Sequence, residues 1–518
     1  MTPNARLAGA ALGHLAGLGV RDYVVCAGAR NAPIVSSLLL VCKEKGWKVR
    51  HHFDERSAAF FAMGLAKKSG RPAAILTTSG TAVAELLPAA VEAYYSGIPL
   101  VLVTADRPCA YRGSGAPQAI EQAGIFGPYA PVAVDVAEAS DLAALGDWSG
   151  EGPLHLNLCF AEPGPGDQCD AVDEVSIALP GLNEIPPDEI AAFLKSADRL
   201  IVILGEVPEN WRPAVEKLLA AIGAPVWAEA ASGLRESRVL ANQLLRAETL
   251  VATLAPRQIL RLGGVPSLRY WRDLESLIDV SVLSVSPQPF SGLARASRNL
   301  TGDTFPKDIT ETGHGWTDDL TPLNDANLED ALTKHPFSEP AMVGELSRHI
   351  PSDALVYLGN SLPIREWNLA ATRQIPHPRT FASRGANGID GQIATWLGMS
   401  EGEAESWGLF GDLTALYDLN APALLEQLSA GRRRLVILNN AGGRLFSRLS
   451  SMAALPESHK LVTENRHARH FEKWAAMWDL GYLRWIAGEP FPEIAGDNIV
   501  IEVILDNAAT EAFWEARR

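Results

Sequence analysis

Asp412 and Asn440 each follow a short apolar run, residues 407–410 and 434–438, and 26 residues separate Gly411-Asp412 from Asn439-Asn440. A leucine-rich stretch between the runs predicts one helix carrying Leu416, Leu419, Leu424, Leu425 and Leu428. A right-handed crossover makes two such strands parallel. Both side chains then sit just beyond carboxyl-terminal strand ends, on the edge where open α/β sheets take ligands. One carboxylate, one amide oxygen and a carbonyl from the following Ala-Gly-Gly turn make an all-oxygen donor set. Mg²⁺ favours that set when it also bridges a phosphate. The same residues suit an acidic helix cap and an ordinary Asn-Asn-Ala-Gly-Gly turn, and spacing alone leaves both readings open.

A second segment, VRHHFDERSAAFFAMGLAKKSG (49–70), runs from a strand into Asp54 and then a helix from Glu55, with Ala58, Phe61, Ala62 and Leu65 on one face. A first-turn glutamate stabilises a helix dipole by about 0.3–1 kcal/mol, which is sufficient reason for an isolated one. His467 and His470 lie three apart in 451–475. No third metal ligand accompanies them, so they are assigned to a mobile or surface helix.

The elements that must position these groups follow one rhythm: short β-branched runs alternate with Ala/Leu-rich amphipathic stretches, the pattern of βαβ units and parallel sheets. Strands are expected at 23–27, 48–53, 73–77, 100–104 and 155–158, then 200–204, 225–228, 258–262 and 280–285, then 355–358, 407–410, 434–438 and 499–504. The Pro/Gly-dense stretch 161–170 and the polar stretch 301–338 read as linkers. At roughly 150 residues per domain, 518 residues suggest three α/β domains with mainly parallel sheets, at 1–170, 171–335 and 336–518.

Apolar residues make up 47% and the formal net charge is −16, so the chain is globular and lacks the basic surface a nucleic-acid partner needs. Five scattered cysteines with no C-x-x-C pair point to reduced thiols in a cytoplasmic protein. The first twenty residues are apolar at helical spacing but interrupted by Asn4, Arg6 and His14, which predicts an amphipathic helix rather than a signal peptide. No apolar run is long enough to span a membrane.

Gly-Asp followed after 26 residues by Asn-Asn resembles the thiamine-diphosphate (ThDP) and Mg²⁺ motif, although the usual third-position glycine is Leu413 here. ThDP enzymes also use a glutamate hydrogen-bonded to the cofactor's aminopyrimidine, a role that fits Glu55. With both segments in place, the chain resembles the 2-succinyl-5-enolpyruvyl-6-hydroxy-3-cyclohexene-1-carboxylate (SEPHCHC) synthase family of menaquinone biosynthesis. The matching blocks are CAGARNAP (26–33), FDERSAAFFAMGLAK (53–67), TTSGTAVAELLPAAVEA (77–93), TADRP (104–108), PQAIEQ (117–122), GNSLPIRE (359–366), SRGANGIDG (383–391) and GDLTALYDLN (411–420).

That resemblance implies a three-domain ThDP-binding fold: pyrimidine-binding, middle and diphosphate-binding. It implies that the cofactor ylid attacks 2-oxoglutarate, CO₂ leaves, and the four-carbon carbanion equivalent adds to isochorismate. Glu55 would be catalytic and would bind the cofactor. Asp412, Asn440 and the Gly442 carbonyl would hold Mg²⁺, with Mn²⁺ able to substitute. Ile389 would prop the cofactor in its bent conformation, and Leu445 and Phe446 would wall the reacting carbons. The cofactor would lie between two subunits, implying a homodimer or homotetramer.

Both substrates are dicarboxylates, which a forked guanidinium grips better than an ammonium does. Arg30, Arg107, Arg365 and Arg384 all fall at strand ends or loops inside the matching blocks. The resemblance makes them substrate-binding together with Gln118, Ser361 and, from the middle domain, Arg269. The chain departs from the family pattern at Ala29, usually serine, and at Ala441 in NNAGG, usually NNNGG. Residues 451–475 depart from it as well. Another ThDP-dependent 2-oxo acid decarboxylase or carboligase would share Glu55, Asp412 and Asn440 without requiring the arginines together. A nicotinamide dehydrogenase finds only Gly113-x-Gly115, without the third glycine or a preceding strand. A non-catalytic binding module would have no use for Glu55.

Overall fold

The computed structural model describes residues 1–309 and 326–517, which divide into two compact units. The first comprises Met1–Gly181 with Gly385–Gly402 and Leu416–Ala430. Its six strands are β1 (Asp22–Val25), β2 (Lys48–His51), β3 (Ala73–Thr77), β4 (Leu100–Asp106), β5 (Val132–Val136) and β6 (Leu154–Cys159), in the order β2-β1-β3-β4-β6-β5. Every described pairing is parallel. β3, β4 and β6 are buried along their whole length, as a sheet covered on both faces requires.

On one face the helix Glu55–Ser69 packs against the helix Gln392–Met399. The approach is close because glycine sits on both surfaces. A Cβ on Gly64 would meet the Thr395 carbonyl oxygen at 2.1 Å, and one on Gly398 would meet the Phe61 carbonyl oxygen at 2.3 Å.

The second unit, Leu182–Arg384 with Glu403–Ala415 and Gly431–Arg518, holds two sheets. One is built from β7 (Leu200–Leu204), β8 (Val226–Ala228), β9 (Gln258–Leu262), β10 (Ser281–Ser286) and β11 (Arg298–Thr301), ordered β11-β10-β9-β7-β8. The other is built from β12 (Leu355–Leu358), β13 (Thr380–Phe381), β14 (Glu405–Gly411), β15 (Arg432–Asn439), β16 (Gly481–Ile486) and β17 (Asn498–Ile504), ordered β13-β12-β14-β15-β17-β16. Strand order reverses between β1 and β3 in the first six-stranded sheet and between β12 and β14 in the other. Such switch points open a crevice at the carboxyl-terminal edge.

Four strands escape the sequence reading: β5, β11, β13 and β16. Each lies at the edge of its sheet. An edge strand is covered on one side only, so it needs no continuous apolar run; β5 alternates exposed and buried positions.

Two expectations need correcting. The leucine-rich helix is broken: a helix at Asp412–Tyr417 stops, and a 3₁₀ segment at Ala421–Gln427 follows. Pro422 forces the restart, Asp418 turns inward to serve other backbone groups, and Leu419 is exposed. The expected 301–338 linker contains the helix Ala326–Lys334, whose Leu328 and Ala331 pack against Phe513; residues 310–325 of it lie outside the described residues. No helix among the described residues is long and apolar enough to cross a membrane.

Candidate functional site

β14 and β15 run in parallel register, Gly411 opposite Leu438, so Asp412 and Asn440 leave the same sheet edge. Asp412 is buried. Its Oδ1 accepts the Leu413 N–H at 2.7 Å and its Oδ2 the Gly442 N–H at 2.9 Å, which ties the two strand ends together. Asn440 is also buried. Its Nδ2 donates to both carboxylate oxygens of Glu339, at 3.2 and 3.3 Å. Its backbone carbonyl accepts from Asn507 Nδ2 at 3.0 Å and Arg444 Nε at 3.2 Å.

Among the described residues the amide oxygen Oδ1 of Asn440 is left buried without a hydrogen-bond partner. An orphan of that kind costs about 1–3 kcal/mol, and a cation would supply what is missing. The residues present therefore fit a Mg²⁺–diphosphate group. The turn needs left-handed backbone at Ala441 (φ 64°), where the family's usual asparagine is better tolerated than alanine.

His467 stands 3.2 Å from Asp412 Oδ2, and His470 Nδ1 donates to Glu502 Oε1 at 2.9 Å. Both lie on irregular chain rather than the expected surface helix. Only His470 is substantially exposed, because the Arg466–His470 segment folds back over the strand ends.

Behind Asn440 lies a pair of carboxylates, Glu339 and Glu366, each 1% exposed. Burial pushes both upward, and Glu366 well above the carboxylate range because Glu339 adds like charge; Arg448, 3.0 Å from Glu366, partly offsets this. Nothing in the residue spacing signals Glu339. The cue available in sequence is Ser338-Glu339 at a helix start.

At the end of β12, Ser361 adopts φ 71° ahead of the helix Leu362–Ala370. A serine held there is strained by about 1–3 kcal/mol, and such strain collects at sites of function. Arg365 Nη1 donates to the Ser361 carbonyl at 2.6 Å, and Arg384 Nη1 to Asn360 Oδ1 at 2.8 Å. Arg269, Arg365 and Leu445 line one cavity of about 360 Å³, together with Arg448, Trp227 and Trp514. Phe446 is not among its walls; its ring lies beside Gly443.

In the first unit, Glu55 is the first residue of its helix, and Asp54 caps that helix by accepting the Ser57 N–H at 3.1 Å. Burial, followed by the like charges of Asp54 and Glu85, raises the half-buried Glu55 carboxyl above its ordinary range. Ile389 sits in a loop pinned from two sides. Glu92 accepts the N–H groups of Gly385 and Ala386 at 2.8 and 2.7 Å, and Asp418 those of Gly391 and Ile393 at 2.8 and 2.9 Å. The sequence reading missed both carboxylates, although a glutamate among the alanines of 89–93 is a visible anomaly.

Arg30 is buried and already engaged, donating to the carbonyls of Phe160 and Ala161 at 3.2 and 3.0 Å and to Glu162 at 2.7 Å. Arg107 Nε donates to the Pro117 carbonyl at 3.0 Å, which brings Arg107 beside the segment bearing Gln118. Gln118 is exposed in left-handed backbone (φ 56°). Gln122, fully buried, anchors that segment by accepting the Gly80 N–H at 2.9 Å.

Residues 6–125 match the family described as "Thiamine pyrophosphate enzyme, N-terminal TPP binding domain". A 2-succinyl-5-enolpyruvyl-6-hydroxy-3-cyclohexene-1-carboxylate synthase from Akkermansia muciniphila is 42% identical over 95% of each chain. One from Bdellovibrio bacteriovorus is 39% identical over 99% of this chain and 98% of its own. The crystal structure of benzoylformate decarboxylase from Polynucleobacter necessarius superposes with a TM-score of 0.68 at 13% identity, covering 96% and 98% of the two chains, which shows a shared fold. A three-sheet α/β architecture, an N-terminal thiamine-diphosphate domain and near full-length identity thus converge: the chain belongs to the 2-succinyl-5-enolpyruvyl-6-hydroxy-3-cyclohexene-1-carboxylate synthase family of thiamine-diphosphate enzymes.

Proposed function

We propose that this enzyme makes SEPHCHC in menaquinone biosynthesis by decarboxylating 2-oxoglutarate and joining the remaining four carbons to isochorismate. The observation that carries the reading is the 42% identity, over 95% of both chains, with a relative named for that product. Bound ThDP supplies the carbanion chemistry for decarboxylation and carbon–carbon bond formation. Asp412 and Asn440 Oδ1, with the Gly442 carbonyl, would hold Mg²⁺, or Mn²⁺ in its place, which would neutralise diphosphate charge.

Glu55, with its raised carboxyl, holds and returns a proton at the cofactor's aminopyrimidine. Ile389 would support bound ThDP, and Leu445 and Phe446 would supply an apolar wall near the reacting carbons. Arg365, Arg384, Ser361 and Arg269 of the second unit, and Arg107, Gln118 and Arg30 of the first, take substrate carboxylates and hydroxyls. Arg30 reaches a ligand only by exchanging its carbonyl partners. The domains are 1–170 for the pyrimidine, 171–335 as the middle and 336–518 for the diphosphate. The active form is a cytoplasmic homodimer or homotetramer.

Incubation with ThDP, Mg²⁺, 2-oxoglutarate and isochorismate should yield SEPHCHC by mass spectrometry. Turnover of pyruvate alone, with no SEPHCHC formed, would overturn the assignment.

A further inference from the structure

Cys109 and Cys159, scattered in sequence, meet in the first unit. β4 and β6 pair with Asp106 opposite Cys159, and Cys109 opens the 3₁₀ turn Cys109–Tyr111 that leaves β4. The two Sγ atoms are 3.7 Å apart, Cys109 exposed and Cys159 buried. Arg112 Nη2 lies 3.3 Å from Cys159 Sγ.

Asp135 completes a cluster whose three ligand atoms lie within 4.8 Å of one another, which would suit a soft metal by distance alone. The charge arrangement argues otherwise. Both Asp135 oxygens are gripped by the fork of Arg112 at 2.7 Å, and Asn157 donates to one of them at 2.8 Å. A dication there would sit against a guanidinium and would have to displace it.

What remains is two sulfurs 3.7 Å apart, which must close to about 2.05 Å for a disulfide. We propose that Cys109 and Cys159 are a dithiol that closes reversibly to a disulfide in response to small-molecule disulfides such as oxidised glutathione. Exposed Cys109 reacts first: its thiolate attacks one glutathione sulfur, the S–S bond of oxidised glutathione breaks, and one glutathione thiolate leaves. Cys159 then gives its proton to solvent and attacks the Cys109 sulfur, expelling the second glutathione. Two protein thiols are oxidised and two glutathione sulfurs reduced. Burial, then Asp135, pushes the Cys159 thiol up, which keeps it protonated at rest; Arg112 is the cation that supports its thiolate when it attacks.

The new bond would pin the turn after β4 to the end of β6. Arg107 precedes that turn and, through the Pro117 carbonyl, holds the segment bearing Gln118. Oxidation therefore fixes two residues read above as substrate-binding; this consequence rests on that reading, whereas the disulfide does not.

The test is to incubate the protein with oxidised glutathione, titrate thiols after denaturation, and map non-reduced peptides. The chain should lose two of its five thiols and yield a peptide joining Cys109 to Cys159, and dithiothreitol should reverse both changes. Cys159→Ser should instead retain glutathione on Cys109. Five surviving thiols, or glutathione persisting on Cys109 of the unmutated protein, would overturn the proposal. So would tightly held zinc that protects both sulfurs. With SEPHCHC synthesis as readout, oxidation should raise KM for a substrate by at least about threefold, and Cys159→Ser should abolish that response. Unchanged KM in fully cross-linked protein would remove the regulatory consequence.

Discussion

Glu55 and Glu339 occupy the same local position and end in opposite circumstances. Each is the first residue of a helix, behind a side chain that caps it: Asp54 for one, Ser338 for the other. A helix N-terminus tolerates a carboxylate well, and burial raises both carboxyls above their ordinary range. The surroundings differ. Glu55 is half-buried among like charges, with its own N–H as the hydrogen-bond donor that favours its anion. Glu339 is fully buried, takes both contacts from the amide of Asn440, and shares Arg448 with Glu366. In the proposed function the first exchanges a proton. The second holds a neighbour still: it takes Asn440 Nδ2, which leaves Oδ1 for the cation of the proposed function.

Substitution should separate the two roles. Glu55→Gln keeps the shape and removes the proton, so kcat should fall by about 10²–10⁴-fold with the fold and ThDP affinity preserved. A near-normal rate would end the catalytic assignment. Asp412→Ala should weaken Mg²⁺-dependent ThDP binding by at least about 100-fold in calorimetry, and Glu339→Gln by about 10–100-fold, the range for a residue that orients a metal ligand. If Glu339→Gln instead lowered kcat with cofactor affinity untouched, the two glutamates would be alike and the contrast would fail.

A parallel contrast divides the arginines. Arg30 is buried against carbonyls of its own chain, whereas Arg365 lines an open cavity with Arg269. Charge-assisted hydrogen bonds are worth about 1.5–3 kcal/mol, so Arg365→Ala should raise a substrate KM by about tenfold or more without lowering the thermal midpoint. Arg30→Ala should lower the midpoint as well. Equal midpoints for the two variants would show that Arg30 contributes no packing.

These contrasts also mark what could be read from sequence. Strands buried on both faces announce themselves as apolar runs, and the strand ends then locate Glu55, Asp412 and Asn440. The four edge strands lack that signal. Groups acting through long-range contacts were hidden too: Glu339 is 101 residues from Asn440, and His467 is 55 from Asp412, so no local spacing records either pairing. The Cys109–Cys159 contact depends on β4 and β6 lying side by side, which sheet order decides.

Asp418 offers the smallest effect and the finest control. Like Glu339 it is a buried carboxylate that holds a neighbour in place, but its partners are backbone N–H groups of the Ile389 loop and it lies outside any helix start. Burial raises its pKa to about 7, although the Gly391 and Ile393 N–H groups favour its anion and Arg56 lies 3.7 Å away. An aspartate in an unfolded chain titrates near ~3.9. Between about pH 4 and 7 the native state therefore binds more protons than the unfolded one, so this group's contribution falls as pH rises through that window and is level above it. Asp418→Asn carries no titrating proton, and its amide can accept only one of the two N–H groups well, at a cost of about 1–3 kcal/mol. Thermal melts should show the variant clearly less stable at pH 5, with the gap narrowing by pH 8. Midpoints that shift in parallel across that range would mean Asp418 titrates elsewhere, leaving the loop held by geometry and not by a proton.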